Sequence, residues 1–158
     1  MILTTHALIG AAIGKKISQP WLIIIISLII HFLLDGLRHG EYFDDRTATV
    51  KNTYRKIGVD LAIGFSLIGT YLFFFHPDII TIRNIFLGTF FSMLPDALTL
   101  INYWKPEIKL FAQIKKFHGL AHRYKYFPKY GTERQWNLRN IVNDAILSLC
   151  AFVIIFFL

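Results

Sequence analysis

The sequence predicts an all-α fold: a polytopic membrane bundle of about four transmembrane helices with a short N-terminal helix, in one domain over residues 1–158. Composition is the first reason, since 54% of the residues are hydrophobic and 16% are aromatic, too apolar for an ordinary soluble domain of this size. The second reason is that four apolar stretches approach the roughly 20 residues that a helix needs to cross a bilayer. No Gly/Ser-rich or Pro-rich linker divides the chain, so a single domain is expected.

The first two elements are a short helix and a span. Residues 2–14 are small or apolar and helix-compatible, but at about 1.5 Å per residue they are too short to cross a hydrocarbon core of about 30 Å. We therefore expect a partial or tilted helix there. Pro20 suits the first turn of the next helix, whose apolar body at residues 21–37 predicts the first span.

Three further apolar stretches predict spans, at residues 57–75, 82–104 and 138–158. The first of them ends at a His-Pro-Asp string, which terminates helices well. The second contains Pro95, which removes a helical hydrogen bond. We expect a kink there and a free backbone carbonyl near Ser92 or Met93.

Two polar loops connect the spans. Residues 38–56 are mixed in charge and predict a loop with a short helix. Residues 105–137 are basic and aromatic, and their 107–118 segment places apolar residues on one helical face, which predicts a short amphipathic helix. The basic residues of this second loop predict contact with anionic lipid. A net charge of +7 would suggest nucleic acid in a soluble chain, but in this apolar chain we expect no nucleic-acid partner.

The distribution of positive charge predicts the orientation. Residues 38–56 and 105–139 together hold 14 of the 17 Lys and Arg residues, and such loops usually face the cytoplasm. Lys15 and Lys16 oppose this assignment, because they immediately precede the first span. We expect a multi-pass protein of the inner, or cytoplasmic, membrane with both long loops in the cytoplasm.

A polar stripe interrupts the first span. His31, Asp35 and His39 recur every fourth residue, so on one continuous helix they would share a face. Buried charge is costly in such a setting unless it is paired. Asp60, Asp96 and Asp144 lie near the ends of the other spans, at the same predicted membrane face as Asp35, so we expect the four carboxylates to converge.

A weak internal repeat agrees with this convergence. Residues 55–60 align without gaps on 139–144, and residues 31–35 resemble 92–96. Such a repeat predicts that the chain consists of two helical hairpins of common ancestry that enclose a site between them. Because the matched strings are short, coincidence remains the alternative.

The spacing of these residues suits a metal ion. His31 and Asp35 lie one turn apart, and His118 and His122 repeat that spacing. Mixed imidazole and carboxylate ligands suit Zn²⁺, with Mn²⁺ or Fe²⁺ as alternatives, and the lack of thiolate ligands argues against a purely structural zinc site. Such an ion polarises a phosphoryl or carbonyl oxygen and activates water. The pattern predicts hydrolysis of a lipid-linked or membrane-adjacent phosphoester at the cytoplasmic membrane face, with Arg123 as a candidate to hold a substrate phosphate.

Each feature also has a simpler interpretation. His31 and Asp35 can form a hydrogen-bonded core pair, and Asp60 and Asp144 can pair with neighbouring arginines. Two other functions are open as well. The cluster can be the transit site of a transporter for divalent cations or protons, which requires a continuous polar path to the far face. Alternatively, the protein is a membrane scaffold without catalytic activity, in which case it contains no metal.

Four strings carry a family resemblance. The opening TTHALIG of residues 4–10, a helix that ends in Asp, the LPD string of residues 94–96 and the paired histidines resemble the small membrane-bound metal-dependent hydrolases, which are distantly similar to zinc-dependent phospholipase C. The resemblance implies phosphoester cleavage, with His6, Asp96, His118 and His122 as metal ligands. The chain departs from that family's HRGxTHS pattern, since its HGLAH string lacks the Thr and Ser.

The predicted site combines both lines of reasoning. The candidate metal ligands are His6, His31, Asp35, His39, Asp96, His118 and His122, and the candidate catalytic residues are Asp60 and Arg123. Among them, His6, His39 and Asp60 are either ligands or partners that orient the imidazoles.

Overall fold

The fold consists of six α-helices in a computed structural model that describes residues 2–41, 50–129 and 131–158, with the side chains of 50–53 excepted. The helices are α1 (Leu3–Lys16), α2 (Pro20–Asp35), α3 (Val50–Phe75), α4 (Ile79–Trp104), α5 (Lys109–Ala121) and α6 (Leu138–Phe157). No strand occurs among the described residues, and the predicted all-α class is confirmed. The short helix predicted within residues 38–56 falls largely on 42–49, outside the described residues.

Three segments are long and apolar enough to cross a membrane: Tyr54–Phe75, Ile79–Trp104 and Thr132–Phe157. The fourth predicted span is the shorter helix α2, whose 16 residues reach about 24 Å at about 1.5 Å per residue. It ends at Asp35, two residues before the predicted end of the span. Large apolar side chains cover the outside of the bundle; Phe73, for example, is 70% exposed. These lengths and surfaces indicate a membrane protein.

Helix α1 lies at the centre of the bundle. It packs against α4, α6, α3 and α2, and most of its side chains, from Thr4 to Gly14, are buried. The sequence predicts only a partial or tilted helix here. Small residues allow this central position, because Gly, Ala and Thr let neighbouring helices approach closely.

The crossing of α1 and α4 depends on glycines. Gly10 and Gly14 are four residues apart on α1, and both face α4. A Cβ added at Gly10 would overlap the Gly88 carbonyl, and one added at Gly14 would overlap the Asn84 carbonyl. The two backbones are therefore in direct contact at this level, which is the usual role of small residues spaced by four in membrane helices.

We expect Gly10→Val to destabilise the bundle by about 2 kcal/mol or more, because the added methyl groups overlap backbone atoms that cannot rotate away. Thermal unfolding in detergent measures the change. Gly69→Val is the matched control, since Gly69 is also helical but no atom lies within 4 Å of a Cβ added there. Equal unfolding temperatures for the two variants would contradict the glycine crossing.

Helix α5 confirms the predicted amphipathic helix, although it begins at Lys109 and continues to Ala121. It packs against α4 and α2. The Phe117 ring meets Phe32 of α2 edge to face, at 4.9 Å between centroids. This packing directs the following residue, His118, toward the end of α2 that carries Asp35.

Candidate metal centre

Six polar side chains from four helices meet at one end of the bundle. We call them the His/Asp cluster: His6 of α1, His31 and Asp35 of α2, Asp96 of α4, and His118 and His122 at the end of α5. All but Asp96 are buried. Because residues four apart share a helical face, each pair on α2 and α5 points to the same place.

Asp35 is the centre of the cluster. Its Oδ2 lies 2.7 Å from His118 Nε2 and 2.9 Å from His31 Nε2. The same oxygen is 3.4 Å from His122 Nε2, and Oδ1 is 3.2 Å from His6 Nε2. Each of the four imidazoles thus directs its Nε2 atom toward one buried carboxylate.

The outward nitrogens of two rings have separate partners. His31 Nδ1 donates to the Ser92 carbonyl at 2.7 Å, and His118 Nδ1 is hydrogen-bonded to Thr99 Oγ1 at 2.8 Å. Ser92 lies where Pro95 is predicted to free a backbone carbonyl, and this carbonyl accepts the hydrogen bond from His31. Contacts of this kind fix the orientation of metal-binding imidazoles.

A cation at the centre suits this arrangement. A neutral His31 that donates from Nδ1 presents only a lone pair at Nε2, yet this atom lies close to Asp35 Oδ2 and 3.2 Å from His118 Nε2. The Nε2 atoms of His118 and His122 are also 3.2 Å apart. A proton bridges one such contact, whereas a metal ion satisfies several at once. Ligand atoms about 2.0–2.1 Å from a tetrahedral zinc are about 3.3 Å from each other.

The ligand atoms of His31, Asp35, Asp96 and His118 all lie within 4.8 Å of one another, so these buried groups can hold a metal ion. No protein-family model, curated protein or solved structure matches the chain. The donor groups of the site are imidazoles and carboxylates, because the single cysteine, Cys150, is exposed on α6.

A second group of ligand atoms, from Asp35, His39 and His122, also lies within 4.8 Å. Arg134 occupies this side of the site. Its buried guanidinium places Nη1 3.2 Å from His39 Nε2 and 3.8 Å from Glu41 Oε1, and it also donates to the His122 carbonyl. Burial, together with the nearby Arg134 charge, lowers the pKa of His39 to about 2. A neutral His39 beside a fixed positive charge is a poor place for a second cation.

Glu41 and Tyr124 complete this side. Glu41 Oε1 lies 3.4 Å from His122 Nδ1 and accepts a hydrogen bond from the Tyr124 hydroxyl at 3.3 Å. The Tyr124 ring stacks on His122 at 4.9 Å. Burial lowers the pKa of His122 well below its ordinary value and raises that of Glu41. A neutral His122 keeps a lone pair available for the cluster.

Sequence reasoning missed Glu41, Tyr124 and Arg134. Glu41 offered one local signal, because it follows His39 by two residues. Arg134 and Tyr124 lie in the loop between α5 and α6 and offered none. Their positions depend on how that loop folds over the cluster.

The cluster opens into a cavity of about 710 Å³. Asp96, His118 and His122 form part of its lining, and 24% of the Asp96 side chain is exposed. Asp96 is thus the carboxylate of the cluster that faces the cavity, whereas Asp35 lies behind it with 0% exposure.

Three residues of the predicted site, His39, Asp60 and Arg123, have positions that differ from the prediction. Because α2 ends at Asp35, the predicted single helical stripe is wrong, and His39 reaches the ring of His122 from the loop, 5.2 Å between centroids. The Asp60 carboxylate accepts hydrogen bonds from the backbone N–H groups of Leu3 and Thr4 at 2.6 and 3.2 Å. Asp60 therefore caps the N-terminus of α1 and does not belong to the cluster.

Arg123 also lies apart from the cluster. It is exposed, has a φ of 54°, and is not part of the cavity lining. Arg139 contacts Glu133 at 2.6 Å, which is not the pairing with Asp144 that the simpler interpretation offers.

The predicted convergence of carboxylates holds for Asp35 and Asp96, while Asp60 lies at the same end of the bundle but outside the cluster. His6 of α1 contacts both Asp35 and Asp96, and the first residues of α1 bind Asp60. In addition, the aligned strings 31–35 and 92–96 face each other across α2 and α4, joined by the contact between His31 and Ser92. The internal repeat itself stays a prediction.

Proposed function

We propose that the protein is a membrane-bound, metal-dependent hydrolase that cleaves a phosphoester at the membrane face. The observation that carries the proposal is the convergence of four imidazoles and two carboxylates on one buried point beside a cavity. The resemblance of the sequence to small membrane-bound metal-dependent hydrolases points to the same chemistry.

Zn²⁺ suits this set of donors, with Mn²⁺ and Fe²⁺ as alternatives. His31, Asp35 and His118 would hold the ion, and Asp96 would lie beside it. A bound ion would supply polarisation of a phosphoryl oxygen and a lower pKa for coordinated water. Ser92 and Thr99 fix the rings of His31 and His118, so little reorganisation accompanies binding.

Asp96 has the position of a general base. It lines the cavity, and its Oδ1 lies 3.5 Å from His118 Nε2. We infer that the Asp96 carboxylate accepts a proton from the attacking water, while Asp35, which is fully buried, remains a negative counter-charge for the cationic site.

The geometry favours hydrolysis over transport. A transporter needs polar groups that continue from the cluster toward the other end of the bundle. Beyond His6, however, α1 buries Leu8 and Ala11, which pack in one apolar core with Ile68 and Ile85. The Thr89 hydroxyl at this level donates to the Ala7 carbonyl.

The test is metal-dependent turnover. Protein purified in detergent is stripped with a chelator, reloaded with Zn²⁺, Mn²⁺ or Fe²⁺, and assayed on chromogenic phosphomonoesters and phosphodiesters. We expect about one equivalent of metal by elemental mass spectrometry, and at least about 100-fold faster hydrolysis by the loaded protein than by the stripped protein. A protein that takes up no metal, or that hydrolyses equally after chelation, would contradict the proposal and leave the scaffold function.

A further inference from the structure

The wall of the cavity beside the cluster is apolar and formed by two candidate spans. Ile57 and Leu61 of α3 line one side, and Met93, Ala97 and Leu100 of α4 line the other. The cavity therefore lies between two consecutive helices that are each long and apolar enough to cross a membrane. This part of the cavity wall therefore belongs to segments whose length and composition suit the hydrocarbon region.

The cavity also has a cationic part. Lys115, Lys116 and Lys129 contribute to its lining beside Tyr103. Lys129 Nζ donates to the Tyr103 hydroxyl at 2.8 Å, and Lys115 Nζ lies 3.9 Å from the centroid of the same ring. Tyr103 thus holds two ammonium groups close together. Such a pair attracts a phosphate strongly, because both charges act on it over a short distance.

Size and lining together select a class of ligand. About 710 Å³ is the volume of a site for a drug-sized molecule, far more than a bare phosphate occupies. A small water-soluble phosphoester would leave the apolar wall exposed to water, whereas an acyl chain covers it. A molecule with a phosphate at one end and an apolar chain at the other matches both parts.

We propose that the substrate is a lipid phosphoester that reaches the His/Asp cluster from the bilayer through the gap between α3 and α4, with Lys115 and Lys129 binding an anionic group of its head. This inference rests on the proposed function for the reaction, but lipid binding itself requires no turnover. The phosphate chemistry is shared with soluble phosphoesters, so the experiment has to separate the two sources.

The experiment measures binding of a photo-crosslinkable phosphatidic acid, with a diazirine on its acyl chain, to the full protein in phosphatidylcholine nanodiscs. We expect the double variant Lys115→Gln/Lys129→Gln to lose labelling by about 10-fold or more. Lys109→Gln is the matched control, since Lys109 is exposed on α5 and lies outside the cavity lining. A soluble phosphomonoester should compete at least about 100-fold less well than unlabelled phosphatidic acid.

A second pair of variants tests the lateral route. Leu61→Trp places an indole in the gap and should reduce labelling, whereas Ile63→Trp, on the exposed surface of the same helix, should not.

Labelling that survives both Leu61→Trp and the double lysine variant would overturn the proposal, as would equal competition by the soluble ester. If labelling follows the expected pattern but no phosphoester is cleaved, the proposed lipid site is supported and the proposed hydrolase function is contradicted. If soluble esters are cleaved at rates that the lysines do not affect, the hydrolase stands and the lipid site fails.

Discussion

Asp35→Asn is expected to abolish metal binding. Asp35 supplies a ligand atom to both groups of closely spaced ligand atoms, and its oxygens lie 2.7–3.4 Å from four imidazole nitrogens. The amide has the same size but no charge, so the site loses its central negative ligand while its shape is preserved. We expect metal affinity to fall by more than about 100-fold, measured as metal content by elemental mass spectrometry after equilibration with Zn²⁺.

Thermal unfolding provides a second measurement of the same loss. An ion that binds only the folded protein stabilises it by about 4 kcal/mol at 1,000 times its dissociation constant. Zn²⁺ should therefore raise the unfolding temperature of the wild type and leave that of Asp35→Asn unchanged. Because this readout compares each protein with itself, a lower starting stability of the variant does not affect it.

Asp144→Asn is the matched control for Asp35→Asn. Asp144 is a buried carboxylate on α6, outside the two groups of ligand atoms. The same substitution there should leave metal content unchanged. If Asp35→Asn binds zinc as the wild type does, the cluster is a hydrogen-bonded core network, and the metal proposal fails.

Local spacing predicted the pairs of the site but not their assembly. His31 with Asp35, and His118 with His122, could be recognised because four residues make about one helical turn. The sequence could not show that α5 folds back against α2, since this depends on contacts such as the one between Phe32 and Phe117. His39 illustrates the limit, because its spacing matched a helical stripe although the helix had ended.

The central position of α1 could not be predicted from the length of the helix either. A stretch too short to cross a bilayer is expected at the edge of a bundle, yet Gly10 and Gly14 allow α1 to lie directly against α4. The relevant signal, small residues spaced by four, is visible in the sequence. How deeply α1 is buried, however, depends on how the other helices pack around it, which this spacing does not predict. The same holds for Asp60, which binds the N-terminus of α1 only because α1 is central.

Asp96→Asn is expected to stop catalysis while the metal stays bound. Asp96 lines the cavity with 24% of its side chain exposed, and the three deeper ligands remain in the variant, so the site should still fill at saturating metal. The amide accepts no proton, and loss of a general base lowers turnover by about 100- to 10,000-fold. We expect kcat to fall with little change in KM, since the lysines and the apolar wall are intact.

The control for Asp96→Asn is Asp78→Asn, in which an exposed carboxylate that caps the N-terminus of the same helix becomes an equally good capping residue. Its kcat should equal that of the wild type. A decrease in metal content as large as that of Asp35→Asn would show instead that Asp96 is an indispensable ligand. Wild-type turnover by Asp96→Asn would exclude it as the base and leave Glu41, the other carboxylate in the described lining of the cavity, as the next residue to substitute.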